Sequence, residues 1–252
     1  MENQKQTTIQ SVDKALHILD LFIDHDELGI SEISRMTMMG KSTVARLIFS
    51  LAKSNFLKKN EATNKYRLGM KLSYFGTLVN ERDELAKHAD EMMVSLSKKH
   101  QLSCHLVVLE GQNIRFIHKI NSGQIINMKS RIGGTMPAYC TATGKSIIAN
   151  LPSEKRNKLV ASMSLEVWTK NTITEKDELL EELTKIQKQG FSEDNEESEL
   201  GLCCLAVPIF DFSGHVIASV SLSGQKEAVG NHKKEIIKDL QATSWELKKL
   251  NM

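Results

Sequence analysis

The chain has 252 residues, of which 40% are hydrophobic and 25% charged, with a formal net charge of +2. That composition belongs to a globular protein long enough for one large domain or, better, two smaller ones. No apolar run approaches the roughly 18 residues of a membrane span, so no membrane partner is expected.

The opening MENQKQTTIQ has no apolar h-region, and a secretory signal is therefore not expected. Cys104, Cys140, Cys203 and Cys204 show no paired framework and no C-x2-C or H-x3-H spacing. They read as reduced thiols of a cytoplasmic protein, with no metal site. His100 and His105 lie near Cys104 and read as structural.

Residues 1–8 read as a loose tail. A helix is predicted from about Ile9 to Asp24, with Ile9, Val12, Ala15, Leu16, Leu19, Phe22 and Ile23 on one face. Its acids, Asp13, Asp20 and Asp24, make a poor surface for an anionic partner, so it reads as a scaffold. Ile30 to Lys53 reads as two helices around a tight turn. Ser31 is the expected cap of the first, with Glu32 in its first turn. Gly40 is the expected break, and Ser42 or Thr43 the cap of the second. Val44, Leu47, Ile48 and Leu51 fall at i, i+3, i+4 and i+7, one buried stripe. The opposite face carries Ser42, Thr43, Arg46, Ser50 and Lys53, with Phe49 at its edge. Such a helix suits a DNA major groove, where Arg reaches guanine edges and hydroxyls reach bases or phosphates.

The neighbourhood strengthens this. Between Arg35 and Lys71 there are nine bases, and Glu61 is the only acid, a local net of +8 in a chain of +2. Concentrated basic charge is the footprint of phosphate binding. FLKK-NEATN-KYRL reads as a β-hairpin, completing a winged helix-turn-helix. The DNA-contacting candidates are Arg35, Lys41, Ser42, Thr43, Arg46, Ser50, Lys53 and, in the wing, Lys65. The expected domains are 8–69 for DNA binding, a linker helix at 70–81, and 82–252 as a second domain opening with a helix to His100.

In the second domain a hairpin is predicted with strands at 103–109 and 114–120, and a further strand near 125–131. After GGTMP comes a helix from about 140 to 151, then one from Pro152-Ser153 to about Met163. Thr174 and Asp177 form an expected capping box, with Leu179, Leu183 and Ile186 facing in and Gly190 ending the helix. GLCCLAVPIFD and HVIASVSLSG read as two strands. Lys233 to Leu250 closes as a helix with Ile236, Leu240, Leu247 and Leu250 inward. Strands in hairpins with helices grouped around them predict an α+β domain whose antiparallel sheet is flanked by helices.

ATGKS at 142–146 resembles part of a phosphate-binding loop, but the required first glycine falls on Tyr139. Nucleotide hydrolysis is not expected. A helix start there still offers free N–H groups to an anion. SEDNEESE (192–199) lacks EF-hand spacing and reads as an acidic loop, one member of which could turn inward. Ser221 and Ser223 share a strand face, with Cys204 a possible neighbour. No Ser–His–Asp or paired-carboxylate arrangement stands out, so no catalytic residues and no cofactor are assigned.

From about Thr8 to Leu250 the chain resembles IclR-type transcriptional regulators. The resemblance is carried by IQSVDKALHILDLF, ISEISRMTMMGKSTVARLIFSL and KYRLG, and by GGTMPAYCTATGKSIIA, GFSEDNEESELGLCCLAVPIFD and VIASVSLSG. It implies a cytoplasmic homodimer or homotetramer that binds operator DNA and a small organic effector, more often as a repressor than an activator. In family members that bind small carboxylates, the ligand sits over the helix start after the G-x-P segment. Carried over by motif, the backbone N–H groups of Ala142 and Thr143 face the carboxylate. Asp194, Cys204, Ser221 and Ser223 become polar contacts, and Met128, Met136 and Leu202 become apolar walls. Some such members have Gly-Ala where this chain has Ala142-Thr143, which narrows or re-polarises the pocket. An enzyme with an accessory winged helix and a constitutive DNA-binding protein remain the alternatives.

Overall fold

The structure is a computed structural model that describes residues 8–122 and 130–250. The expected tail up to residue 7, most of the expected strand near 125–131, the side chain of Leu250 and Met128 lie outside those residues. The chain divides between Arg82 and Asp83 into two units.

The first unit begins with α1 (Gln10–Asp20), which tightens into a 3-10 turn over Leu21–Ile23. The expected apolar face is buried only in part: Phe22 enters the core and Leu19 packs beside it, whereas Ile9, Val12, Leu16 and Ile23 are exposed and Ile18, outside that face, is fully buried. α2 (Ile30–Thr37) starts two residues earlier than expected: its N-cap is Gly29, whose N–H donates to the Glu32 carboxylate at 2.7 Å, so Ser31 does not cap it. Gly40 lies in the break between the two helices, as expected, and the left-handed residue that ends α2 is Met38 (φ 54°). α3 (Lys41–Lys53) is then capped by Gly40 without side-chain help from Ser42 or Thr43. Val44 and Ile48 are fully buried with Ile18, Ile33 and Leu57, and Leu47 and Leu51 pack at the margin. β1 (Leu57–Lys59) and β2 (Tyr66–Leu68) pair antiparallel, and Leu28 bridges Tyr66 to tie the wing to the core. α4 (Met70–Arg82) packs back on this unit, with Phe75 against Phe56 at 5.8 Å between centroids and Lys71 Nζ over the Phe56 ring at 4.8 Å.

The second unit opens with α5 (Glu84–His100), capped by Asp83, whose carboxylate accepts from the Ala86 N–H at 3.0 Å. The expected helix start at Arg82 is therefore displaced: Asp83 is extended and separates α4 from α5. β3 (Ser103–Glu110) and β4 (Asn113–Ile120) form the predicted hairpin, and Thr135–Pro137 adds a short strand, β5. A 3-10 turn at Ala138–Cys140 leads to α6 (Ala142–Ala149), shorter than expected. α7 (Ser153–Ser162) and α8 (Lys176–Gln189) follow. Glu175, not Thr174, occupies the N-cap of α8 and makes no side-chain cap, so the Thr174–Asp177 box is not formed. Gly190 ends α8 at φ 76°, which favours a residue without Cβ. The expected acidic loop begins as a strand, β6 (Ser192–Asn195). β7 (Leu202–Phe210), β8 (Val216–Gln225), a short α9 (Lys226–Asn231) and α10 (Lys233–Leu250) complete the chain.

The six strands form one antiparallel sheet in the order β5-β4-β3-β8-β7-β6. The period-2 alternation of strands then sorts side chains. Cys104, Leu106, Leu205, Val220 and Leu222 pack against α5 and α10, with Ile236, Leu240 and Leu247. The alternate residues, His105, Cys204, Ser221 and Ser223, face the other way, towards α6. That second layer is sealed by Ile147 and Ile148 with Leu179, Leu183 and Ile186 of α8.

Candidate functional site

Two surfaces gather the residues expected to act. The first is the outer face of α3. Lys41, Ser42, Thr43, Arg46, Ser50 and Lys53 are all exposed, as is Arg35 on α2. The Ser50 hydroxyl donates to the Arg46 carbonyl at 3.0 Å, within its own helix. Phe49, 69% exposed, stands among these polar groups. Lys65 differs from the rest: its ammonium lies 2.9 Å from the Glu32 carboxylate, and that contact helps hold the wing to α2. On the hairpin Lys58 and Arg67 are directly opposite one another and exposed. Neither has a carboxylate within ion-pair distance among the described residues, so the wing carries two cations that the basic footprint included but the list of DNA-contacting candidates left out.

The second surface is a cavity between the sheet and the start of α6, about 60 Å³ in volume. It is lined by Met136, Ala142, Thr143, Asp194, Leu202, Cys204, Ser221 and Ser223, the whole expected set other than Met128. The sheet register explains the gathering, because residues directly opposite on neighbouring strands share a face. Ser223 is opposite Cys204, and Cys204 opposite Asp194. In the next row Lys119 is opposite His105, and His105 opposite Ser221.

The helix end is held from several sides. Thr141 caps α6, accepting from the Gly144 N–H at 3.2 Å, and the Ser192 hydroxyl donates to the Ala142 carbonyl. A Cβ at Gly144 would overlap the Ala138 carbonyl, so glycine lets the helix sit against the turn before it. The N–H groups of Ala142 and Thr143 belong to the first turn, where the helix supplies no acceptor. On the same cavity, Ser221 Oγ is buried without an oxygen or nitrogen partner among the described residues, beside the Cys204 sulfur.

Asp194 is 2% exposed. Burial raises its carboxyl above the ordinary range, opposed by hydrogen bonds from the Ser198 hydroxyl (2.6 Å) and the Glu197 N–H (2.7 Å). Burial pushes the Cys204 thiol up to about 12, so it is neutral and not a nucleophile. Behind Asp194, Lys145 is 1% exposed and its ammonium lies 2.5 Å from the Glu197 carboxylate. The lysine of the Gly-Lys-Ser segment is thus committed to an internal ion pair. Two acids of the acidic stretch, Asp194 and Glu197, turn inward, as does Ser192.

The motif reading left out His105, Ser130, Phe116, Ile114, Thr141, Ser198 and Glu199, which also line the cavity. His105 was legible in principle, since strand alternation sets it on the face opposite Cys104 and Leu106. Ser130 carries no local signal.

An exposed basic helix on a winged unit and a polar cavity over a helix start form the two halves of one architecture. The IclR helix-turn-helix domain matches residues 11–61, and the bacterial transcriptional regulator IclR C-terminal domain matches residues 77–248. The chain belongs to the IclR family of transcriptional regulators. The HTH-type transcriptional regulator KdgR of Escherichia coli strain K12 is 36% identical to it over 221 residues, 88% of this chain and 84% of that protein. The crystal structure of the Thermotoga maritima IclR has 31% identity, covers 96% of this chain and 100% of its own, and superposes with a TM-score of 0.79. An IclR homolog from Microbacterium hydrocarbonoxydans, crystallised in complex with 4-hydroxybenzoate, shares the fold at 20% identity with a TM-score of 0.82, covering 96% of this chain and 98% of its own. As an IclR regulator the chain joins a helix-turn-helix domain to an effector-binding domain of mixed α+β structure. Among the described residues no helix is long and apolar enough to cross a membrane.

Proposed function

We propose that this IclR regulator is a cytoplasmic repressor that binds a near-palindromic operator as a homodimer or homotetramer, and that a small anionic metabolite in the α6 cavity sets its DNA affinity. The observation that carries this is the convergence on one small cavity of two first-turn N–H groups, Ala142 and Thr143, with the buried Ser221 hydroxyl. Donors that line one small cavity complement an oxyanion. The bound 4-hydroxybenzoate of the Microbacterium homolog, itself a carboxylate, supports an acid as the ligand class. The function is binding rather than catalysis: Cys204 is a neutral thiol and Lys145 is held by Glu197.

Residues 8–69 are the DNA-reading part, 70–81 the connecting helix, and 82–252 the sensing and oligomerising part. Arg35, Lys41, Ser42, Thr43, Arg46, Ser50, Lys53 and Lys65 are the proposed DNA contacts. Met128, Met136 and Leu202 wall the effector, and Asp194, Cys204, Ser221 and Ser223 contact it. One recognition helix reads too few base pairs, so two half-sites about 34 Å apart or a multiple are expected. Because α4 packs on Phe56 and ends at the extended Asp83, the segment 70–100 is the covalent route for coupling.

The test is operator titration with and without a panel of small acids, alongside a thermal-shift screen. An acid at about a hundred times its Kd should add roughly 2.7 kcal/mol to the folded state. Ser221→Ala with Ser223→Ala should keep operator binding and lose the response, a coupling expected at about 1–3 kcal/mol. Stabilisation by neutral compounds alone, or operator affinity indifferent to every ligand that binds, would refute this reading.

A further inference from the structure

The cavity's sheet side holds a chain of polar groups, Lys119, Ser130 and His105, that the effector reading does not use and that ends on the effector contact Ser223. Lys119 is partly buried on β4 and has no carboxylate within ion-pair distance among the described residues. Its ammonium donates to Ser130, to the carbonyl at 2.8 Å and to the hydroxyl oxygen at 2.9 Å. Ser130 Oγ lies 3.0 Å from His105 Nε2, and His105 Nδ1 lies 3.3 Å from Ser223 Oγ. His105 is 4% exposed and is wedged edge-on against the Phe116 ring, 5.5 Å between centroids.

The direction of every proton in this chain follows from its first member. An ammonium only donates, so Ser130 Oγ accepts from Lys119. Among the described residues the Ser130 hydroxyl proton then has one acceptor in reach, His105 Nε2. If Nε2 carried a proton instead, the buried Ser130 hydroxyl would face two donors and leave its own hydrogen unmatched, the costly case for a buried group. Nε2 is therefore an acceptor. Burial, and secondarily Lys119, hold the imidazole down at about 3, so it is neutral and its single proton sits on Nδ1. Nδ1–H donates to Ser223 Oγ, and the Ser223 hydroxyl proton points away from His105.

We infer that Lys119 is a positioning residue for the effector pocket: acting through Ser130 and His105, it locks the Nδ1–H tautomer and so sets the Ser223 hydroxyl as a donor, matched to an oxyanion-bearing ligand. This rests on the anionic-effector reading above only for its consequence on affinity; the tautomer stands independently.

Two readouts separate the two claims. The first is the ¹⁵N imidazole spectrum of the full-length protein without ligand, with His105 assigned by its substitution. The wild type should show His105 as the neutral Nδ1–H tautomer. Lys119→Met should move it to Nε2–H, Lys119→Arg should restore Nδ1–H, and Ser130→Ala should abolish the lock with Lys119 intact. The second is calorimetry with acetate, propionate, lactate and pyruvate. Whichever binds the wild type should bind Lys119→Met about tenfold more weakly, the equivalent of one hydrogen bond, with recovery in Lys119→Arg. An Nε2–H tautomer in the wild type, or a tautomer indifferent to both Lys119→Met and Ser130→Ala, overturns the inference. If no acid binds the wild type while the tautomer shifts as stated, the relay stands and the anionic-effector reading fails.

Discussion

Replacing Glu197 by Leu should unfold the second unit far more readily than an acidic-loop position suggests. Lys145 is fully enclosed, and its ammonium is paired with Glu197 at 2.5 Å, with side-chain exposures of 1% and 9%. Removing one partner of such a pair leaves a charge in a site that cannot solvate it, at a cost of about 3–5 kcal/mol. Asp194 still acts on Lys145 electrostatically, which places the expected loss near the lower end, at about 3 kcal/mol. Lys145→Met should be milder, because the remaining carboxyl is already raised by burial and can take up a proton. The double change to Met and Leu should return most of the loss, since a buried pair replaced by apolar groups is often neutral or better. Urea unfolding followed by tryptophan fluorescence reports this unit, because both tryptophans, Trp168 and Trp245, belong to it. A Glu197→Leu cost below about 1 kcal/mol would give the pair the worth of a surface salt bridge and refute the argument. So would a double variant as unstable as the sum of its singles.

Arg46→Ala should weaken operator binding by about 1–3 kcal/mol and relax base preference if Arg46 reads a guanine; equal weakening on random DNA in a fluorescence-anisotropy titration would make it a phosphate contact. In the wing, Arg67→Ala should flatten the salt dependence by about one phosphate, whereas Lys65→Ala should change it less, because Glu32 already neutralises Lys65; a reversed order would show that DNA displaces that ion pair. Asp194→Asn should alter the pH dependence of stability. A carboxyl raised by folding binds protons more tightly folded than unfolded, so its contribution is fully present below the ordinary carboxylate range and is lost as pH rises through its folded value. Urea midpoints from about pH 4 to 8 should therefore fall less for Asp194→Asn than for the wild type, and parallel profiles would show that Asp194 does not titrate in that window.

Local periodicity was enough for the elements that depend on it. The stripe Val44, Leu47, Ile48 and Leu51, the hairpin at 103–120, and the inward Leu179, Leu183 and Ile186 all follow from which side chains must leave water along one helix or strand. The same reasoning placed only part of the buried face of α1. Leu19 and Phe22 of the expected stripe pack inward, but Ile9, Val12 and Leu16 satisfy a helical period as well as Ile18 does, and only the position of α3 decides which is covered. Caps failed for a related reason: Ser31, Ser42 and Thr174 are good cap residues, but the turns on which they sit start the helices elsewhere, at Gly29, Gly40 and Glu175. For the cavity, motif resemblance brought forward residues that lie far apart in the chain, from Met136 to Ser223. Why they meet is a matter of strand register, which sets Ser223, Cys204 and Asp194 in one row and Lys119, His105 and Ser221 in the next. The Lys145–Glu197 pair and the Lys119–Ser130–His105 relay needed the folded molecule, because burial and hydrogen-bond direction are properties of neighbours that the linear chain does not bring together.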